Sequence, residues 1–169
     1  AGCIMEYNSG SQDWGVKCGG MDLSFLHVHM NDDATGLILG DEYVLHTDDN
    51  GMTWTWQVEP AMYSPIAACF INPDTGWIMD ASLNNRLTKD GGYTWSAGNN
   101  TPGSRNLHFL DLAFTDFLNG FKVGGAMDEF GDWYPVVHRT TDGEFWDVFD
   151  IPQATGWLNR IRFLNAQGG

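Results

Sequence analysis

A segment of eight residues that occurs twice is the feature that most limits how this chain can fold. Residues 47–54 read Thr-Asp-Asp-Asn-Gly-Met-Thr-Trp, and residues 88–95 read Thr-Lys-Asp-Gly-Gly-Tyr-Thr-Trp, so the period is 41 residues (88 minus 47). A third copy, Thr-Thr-Asp-Gly-Glu-Phe-Trp, is one residue shorter and begins at Thr140. Self-similarity at such a spacing is typical of architectures in which each repeat is one supersecondary unit. We therefore expect similar units that pack side by side.

Each copy follows two short apolar segments that are separated by polar turns. The first segments of the three units are residues 26–30, 66–70 and 110–114, and the second segments, which open with Gly, are residues 36–40, 76–80 and 120–124. Short runs rich in aliphatic and aromatic residues, bounded by Gly, Asn and Asp, predict β-strands. No stretch keeps a helical period over three turns. Four strands in about 40 residues are typical of one β-propeller blade.

The Asp in each copy has the chemistry of a turn residue. The carboxylates of Asp49, Asp90 and Asp142 can accept hydrogen bonds from backbone amides of their own turns. Gly51 and Gly92 can adopt a positive φ without a Cβ clash. The Trp that ends each copy then offers a large apolar ring to the packing between blades.

The pattern Ser/Thr-x-Asp-x-Gly-x-Thr-Trp resembles the Asp-box, or BNR repeat, of sialidases, some glycoside hydrolases, sortilin-type receptors and photosystem II assembly/stability propellers. The unit is most similar to the last group, because Phe114, Asp116, Gly120, Gly124 and Arg139-Thr140 follow its order. The resemblance implies a β-propeller in which the boxes are structural. The box residues are Thr47, Asp49, Gly51, Thr53 and Trp54, then Thr88, Asp90, Gly92, Thr94 and Trp95, then Thr140, Asp142, Gly143 and Trp146.

The repeats also predict the domain organisation. An N-terminal segment, 1–20, precedes blades at about 21–65, 66–109 and 110–157, and residues 158–169 begin a fourth. The expected fold class is all-β, with four-stranded antiparallel blades of an incomplete propeller. Closed propellers have about 4 to 8 blades, and this chain supplies about 3.3. Three explanations remain open. The chain is a piece of a longer protein, or copies of itself or another chain complete the ring, or a partner caps an open stack.

Three cysteines bear on the compartment. A bridge between Cys3 and Cys18 would close a loop of about 15 residues and stabilise the chain by about 3 kcal/mol in the chain-entropy model. Such a bridge needs an oxidising compartment. Three reduced thiols are the alternative. Cys69 lies in an apolar run, which predicts a small core residue.

The charge excludes some partners. Twenty-two acidic residues against 8 basic ones give a net charge of −14. A surface this acidic repels the phosphate backbone, so we expect no nucleic-acid partner. No run of about 18 apolar residues exists, so we expect no transmembrane segment.

The sequence contains no pattern that predicts catalysis. A sialidase would need three clustered arginines with a Tyr/Glu pair, and no such motif occurs. A catalytic Ser elbow, a P-loop and a dinucleotide fingerprint are also absent. His27 and His29 would project from one face of a strand, but no further ligand follows at metal-binding spacing. We therefore expect no catalytic residue, cofactor or metal ligand.

The third unit departs from the others by about eight extra residues within 126–135. Insertions in repeat proteins map to loops on one face, often the binding face. The residues that we assign to an interaction loop are Asp128, Glu129, Phe130, Asp132, Trp133 and Tyr134. Exposed aromatic residues are common anchors of protein interfaces. The alternative is a loop that folds over its own blade and buries these rings.

Two functions are compatible with these observations. The first is a non-catalytic protein-interaction or scaffold module, whose resemblance implies a photosystem-associated assembly or stability subunit that binds another protein, a complex, or copies of itself. The second is a fragment of a sialidase-like, glycosidase-like or carbohydrate-binding Asp-box protein. Asp-box propellers are mostly extracytoplasmic, which implies the thylakoid lumen, the periplasm or secretion.

Overall fold

Every regular element in the described part of the chain is a β-strand. The computed structural model describes residues 2–21, 24–30, 34–40, 43–57, 64–98, 106–149, 151 and 156–163. The strands are β1 Gly2–Asn8, β2 Asp13–Met21, β3 Phe25–Met30, β4 Gly36–Gly40, β5 Tyr43–Thr47, β6 Thr55–Gln57, β7 Pro65–Phe70, β8 Gly76–Asp80, β9 Asn85–Thr88, β10 Ser96–Ala97, β11 Leu107–Phe114, β12 Gly120–Met127, β13 Trp133–Thr140 and β14 Asp147–Phe149. Within these ranges no helix is long and apolar enough to cross a membrane.

The strands form three four-stranded antiparallel sheets and one hairpin. Strands β3–β6, β7–β10 and β11–β14 each make one sheet in sequence order, and β1 pairs with β2. Strand β7 packs against both β3 and β11, so the sheets stack in chain order with their first strands side by side. The prediction of all-β, four-stranded antiparallel blades is confirmed. These blades are in an open arrangement in the described residues.

The same register recurs in all three sheets and explains why each second strand opens with glycine. In the third sheet, Gly120 pairs with Phe114 on one side and with Thr140 on the other. A Cβ atom on Gly120 would lie 2.6 Å from the Phe114 ring, so only a residue without a side chain fits beside the ring in its present position. Gly36 pairs with Met30 and Thr47, and Gly76 pairs with Phe70 and Thr88. A Cβ atom on either glycine would lie 2.5 Å from the side chain of Met30 or Phe70, respectively.

A β-bulge also recurs, one in the first strand of each sheet. The pairing register shifts between Phe25 and His27 in β3, between Pro65 and Ala67 in β7, and between Phe109 and Asp111 in β11. A bulge re-aims the side chains that follow it and increases the local twist. The residues after the three bulges, His27, Ala67 and Asp111, therefore occupy equivalent positions in the three blades.

Two hydrophobic layers hold the three sheets together. The middle sheet serves both, because successive side chains of a strand point to opposite faces. Ile78 of β8 packs toward the first sheet, whereas Trp77 and Met79 pack toward the third. The Trp77 ring stacks on Phe114 of β11 with centroids 3.8 Å apart. Each fully buried side chain of this kind stabilises the fold by about 1.5–3 kcal/mol.

Residues 157–163 lie alongside the third sheet without pairing as a strand. The Ile161 amide donates to the Asp111 carboxylate at 3.0 Å, and the Leu158 amide donates to the Gly124 carbonyl at 3.2 Å. The Phe163 ring packs on Phe121 of β12. This segment therefore covers the face of the third sheet that points away from the second.

The predicted Cys3–Cys18 bridge lies outside the described side chains. The hairpin that carries both residues is described at the backbone, where Cys18 is opposite Ile4. Cys69 of β7 is a partly buried free thiol, and its Sγ accepts a hydrogen bond from the Phe114 amide at 3.3 Å.

Candidate functional site

The second repeat turn shows how the Asp organises its segment. One oxygen of Asp90 accepts hydrogen bonds from the Thr94 amide and the Thr88 hydroxyl, each at 2.8 Å. The other oxygen accepts from the Thr94 hydroxyl at 2.6 Å. The Thr88 hydroxyl oxygen in turn accepts from the Gly92 amide at 2.8 Å. Gly92 has φ of +101°, a conformation that favours glycine.

The first turn repeats this network, and the third uses a shorter version. Asp49 accepts from the Thr53 amide at 2.8 Å and the Thr53 hydroxyl at 2.7 Å, which lowers the pKa of its carboxyl. Asp142 lacks such a threonine and instead accepts from the Glu144 and Phe145 amides at 2.9 and 2.8 Å. These backbone hydrogen bonds lower the pKa of Asp142 as well.

Each turn is fastened to the turn between the first two strands of its own sheet. The donors are the Asn50, Gly91 and Gly143 amides, and the acceptors are the Ala34, Asp74 and Leu118 carbonyls, at 2.7, 2.8 and 2.8 Å. Neighbouring turns also meet, since His46 Nε2 lies 3.0 Å from the Gly91 carbonyl and the Tyr93 hydroxyl bonds to Asp48. The turns are therefore bonded to their own sheets, and the first two turns are also bonded to each other.

The tryptophans of the turns differ in their surroundings. Trp95 is buried in the layer between the first and second sheets. Trp54 is half-buried, and its Nε1 donates to the Gly51 carbonyl at 3.1 Å. Trp146 packs edge-on against Phe114 with centroids 5.8 Å apart.

The insertion of the third unit lengthens a hairpin. Strands β12 and β13 have eight residues each, against five in β4 and β8, and the paired region extends to Met127 and Trp133. The sequence predicts a loop that includes Trp133 and Tyr134, whereas these residues begin β13. The extra residues add backbone pairs to the hairpin, and only residues 128–132 make the turn.

The turn of this hairpin is rigidly built. One oxygen of Asp128 accepts hydrogen bonds from the Phe130 and Asp132 amides, both at 2.9 Å. The Asp128 amide donates to the Asp132 carbonyl at 3.0 Å, and Gly131 has φ of +89°. The backbone conformation at the tip is thus fixed by local hydrogen bonds.

The hairpin end presents aromatic rings to solvent. Phe130 is 82% exposed and Tyr134 is 47% exposed, with the acidic side chains of Glu129 and Asp132 also exposed. Trp133 is half-buried and packs against Trp157 with ring centroids 4.2 Å apart. The structure therefore brings all six residues assigned to the interaction loop to one end of one hairpin. We call residues 128–134 the aromatic hairpin end.

A second feature, which the sequence does not predict, is a space that we call the inner channel. Two cavities of about 350 and about 410 Å³ share His27, Val28 and Arg162 and lie between β3, β7, β11 and residues 160–163. Six polar or ionisable side chains line this space, namely His27, His29, Cys69, Asp111, Arg160 and Arg162. No signal in the repeat could reveal it, because these residues come from four separate segments.

The inner channel has one buried acid and several basic groups. Asp111 is buried, and one of its carboxylate oxygens accepts from Arg162 Nη1 at 2.8 Å and from the Ile161 amide at 3.0 Å. His29 stacks on Phe70 with ring centroids 4.7 Å apart. Burial lowers the pKa of His27 and His29, so both imidazoles are neutral at pH 7.

One lysine is fully buried inside the third sheet. Lys122 of β12 points into the layer toward the second sheet, with Nζ 4.1 Å from the Trp146 ring centroid. Burial lowers the pKa of Lys122 to about 7. Burial and the neighbouring Lys122 charge lower the pKa of His138, its cross-strand partner, to about 4. Among the side chains that the structure describes, no group of three or more His, Cys, Asp or Glu is placed to hold a metal ion.

Comparison with known proteins supports the fold. No protein-family model and no curated protein matches the sequence. A solved structure of YCF48 bound to D1 peptide matches with a TM-score of 0.61 and 20% identity, over 80% of this chain and 43% of that chain. YCF48 from Cyanidioschyzon merolae matches with a TM-score of 0.56 and 18% identity, over 75% of this chain and 37% of that chain. The chain thus spans about two fifths of the length of these structures, and its blades are similar to theirs in fold.

Proposed function

We propose that this chain is a non-catalytic protein-interaction module that acts as a photosystem-associated assembly or stability subunit. The observation that carries the proposal is the aromatic hairpin end, where Phe130 is 82% exposed on a turn fixed by Asp128. The fold likeness to YCF48, one structure of which is bound to a D1 peptide, supports a protein partner of this kind.

The aromatic hairpin end has the properties of a binding surface. Aromatic residues are enriched in the energetically dominant centres of interfaces. A turn that is already ordered loses little conformational entropy on binding, which leaves more of the contact energy as affinity. Trp133 extends the surface, because its ring is supported from below by Trp157 and is 5.4 Å from His108.

The acidic residues of the hairpin end favour a partner segment that carries basic groups. Glu129 and Asp132 flank the exposed ring, and the chain as a whole has a net charge of −14. Electrostatic complementarity raises association rates and selects against acidic partners. The proposed contact is therefore an apolar side chain against Phe130 and Tyr134, with a Lys or Arg beside it.

The remaining assignments follow the same proposal. Residues 1–20 are an N-terminal segment, and the blades are about 21–65, 66–109 and 110–157, with 158–169 as the start of a fourth. The box residues serve as structural turns, and no catalytic role is assigned to them. The proposed compartment is extracytoplasmic. The carbohydrate-directed alternative is not favoured by the two similar structures described above, which are both YCF48.

A binding titration with a synthetic D1 peptide tests the proposal. The peptide carries a fluorophore, and its anisotropy is followed as the intact chain, Phe130→Ala or Tyr134→Ala is added. We expect saturable binding to the intact chain and a loss of about tenfold or more for Phe130→Ala, since truncating an anchor residue costs about 2 kcal/mol or more.

A matched control is Phe145→Ala, which removes another highly exposed ring (69%) on the third repeat turn. This variant should bind within about twofold of the intact chain, because most surface positions contribute little to an interface. Absence of peptide binding to the intact chain contradicts the photosystem role. Binding that Phe130→Ala leaves unchanged contradicts the assignment of the hairpin end.

A further inference from the structure

Two of the few basic residues of this acidic chain line the inner channel. Only 8 residues of the whole sequence are Lys or Arg, against 22 Asp or Glu, yet Arg160 and Arg162 line the same space. The acid that lines it, Asp111, already accepts from Arg162 and from the Ile161 amide. Two arginines and one carboxylate leave an excess of one positive charge.

The two arginines have different roles in this arrangement. Arg162 is held in place, because Nη1 also donates to the Ile161 carbonyl at 2.7 Å. Arg160 is exposed and makes no hydrogen bond or ion pair with the portion of the chain that the structure describes. A guanidinium presents its N–H donors in a planar fork that fits two oxygens of a carboxylate or a phosphate.

We propose that the inner channel is a binding site for a small oxyanion, a carboxylate or phosphate, which Arg160 holds directly and Arg162 supports. His27 and His29 stand across the same space on β3, as neutral imidazoles that can donate one hydrogen bond each. The cavities of about 350 and about 410 Å³ leave room for such an anion and for its remaining water.

The repeated bulges explain how one fold places these groups together. His27 and Asp111 are the residues that follow the bulges in β3 and β11, and Ala67 is their equivalent in β7. The small Ala67 side chain leaves the space open at the second blade. This site uses residues other than those of the aromatic hairpin end, so it does not rest on the function proposed above.

The proposal includes a pH dependence. A bound anion favours the protonated form of a nearby histidine. The ionisable groups that face the site are His27, His29, Cys69, Asp111, Arg160 and Arg162. Burial lowers the pKa of both imidazoles, and each gains a positive charge when the pH falls below that lowered value. Binding should therefore tighten as the histidines are protonated, and the anion should raise the pKa of both imidazoles.

An NMR titration of the histidine ring protons in the intact chain tests the site. The probes are inorganic phosphate and malonate, added at pH 6.5 and constant ionic strength, with chloride as the reference salt. We expect saturable shifts of the His27 and His29 signals with at least one probe, and the stronger probe identifies the anion as phosphate or carboxylate. Arg160→Gln should weaken binding about tenfold, the size expected from the loss of a charged hydrogen bond.

Arg139→Gln is the matched control, because Arg139 is an exposed arginine of β13 that packs on Phe121, outside the channel. This variant should bind the probes as the intact chain does. No saturable shift with either probe, or equal affinity in Arg160→Gln and the intact chain, would overturn the proposal. Both variants are at exposed positions, so folding can be checked by the unchanged signals of the other histidines.

Discussion

Replacing Lys122 with Met should stabilise the protein at neutral pH and remove a rise in stability at alkaline pH. Lys122 is fully buried, and burial lowers its pKa from 10.5 to about 7. A fall of this size corresponds to about 5 kcal/mol of free energy against the charged form. The contact of Nζ with the Trp146 ring, at 4.1 Å, is worth only about 0.5–2 kcal/mol. Desolvation of the ammonium therefore outweighs the cation–π attraction.

The sign of the pH dependence follows from the two pKa values. The unfolded chain holds the Lys122 proton up to pH 10.5, whereas the folded chain releases it near pH 7, so folding releases a proton in this interval. The free energy of unfolding thus rises with pH from about 7 to about 10.5. Integration between pH 7 and pH 9 gives a rise of about 2 kcal/mol. Met has a similar volume and no charge, and such replacements of a buried charge are often stabilising by about 1–4 kcal/mol.

Urea denaturation followed by tryptophan fluorescence at pH 7 and pH 9 measures this effect. The pKa of Tyr93 is raised to about 12 and that of His138 is lowered to about 4, so neither group changes its charge much between pH 7 and pH 9. Burial raises the pKa of Cys69, so the unfolded chain loses this proton first, which lowers the free energy of unfolding toward pH 9. This opposing effect is common to the wild type and Lys122→Met, so it cancels in the comparison of the two. Lys89→Met is the control, because Lys89 is exposed. The free energy of unfolding of Lys89→Met should rise between pH 7 and pH 9 as it does in the wild type. Equal free energies of unfolding of the wild type at pH 7 and pH 9 would refute the reasoning. A rise in the free energy of unfolding of Lys122→Met as large as that of the wild type would also refute it.

Two further predictions concern the repeated elements. Gly120→Ala should destabilise the protein by about 1–3 kcal/mol in urea denaturation, because the new Cβ displaces the Phe114 ring from its stack on Trp77, while Gly15→Ala, which meets nothing within 4 Å, should change stability by less than about 0.5 kcal/mol. Equal stability of the two variants would contradict the packing argument. In the second turn, burial raises the pKa of Asp90, but hydrogen bonds from Thr94 and Thr88 outweigh it and lower the pKa below 3.8. This carboxylate stabilises the fold above pH 3.8 and the contribution is lost at lower pH. Asp90→Asn should therefore lower the thermal midpoint at pH 7 more than at pH 3, and an equal loss at both would exclude the mechanism.

The fold was predictable from the sequence because each unit repeats its local chemistry. The Thr-x-Asp spacing predicts a turn, and each second strand opens with Gly. The turns recur after 41 residues (88 minus 47) and 52 residues (140 minus 88), and the glycines after 40 (76 minus 36) and 44 (120 minus 76). Four-stranded antiparallel sheets are the consequence. The recurring bulges were not predictable, since nothing in the sequence at Leu26, Ile66 or Leu110 distinguishes a bulge from regular pairing.

The candidate sites were predictable only where the chain departs from its own repeat. The insertion is visible in the sequence as about eight extra residues within 126–135, but the extension of β12 and β13 is not, because the acidic and aromatic residues of this insertion are also compatible with an exposed loop. Lys122 lies in a strand whose other residues are apolar, and no pattern around it in the sequence predicts its burial. The inner channel depends on the packing of four segments, which no local pattern encodes.

We infer that the residues that recur in every unit of this chain serve its folding, and that the residues that differ between units serve its binding. The carboxylates of Asp49, Asp90 and Asp142 accept hydrogen bonds from amides of their own turns, which supports our proposal that these residues serve folding. The bulge, by contrast, recurs in the backbone of all three sheets, but the residue that follows it differs. This residue is His27 in the first sheet, Ala67 in the second and Asp111 in the third. The three sheets thus share one backbone conformation at this position but carry different side chains there. Because the first strands of the sheets pack side by side, these different side chains can form an asymmetric site between the sheets. The same reasoning applies to the second hairpin of each sheet, whose strands are longest in the third, where the turn presents Phe130. Substitutions at repeated positions should therefore change stability first, and substitutions at these unrepeated positions should change binding first.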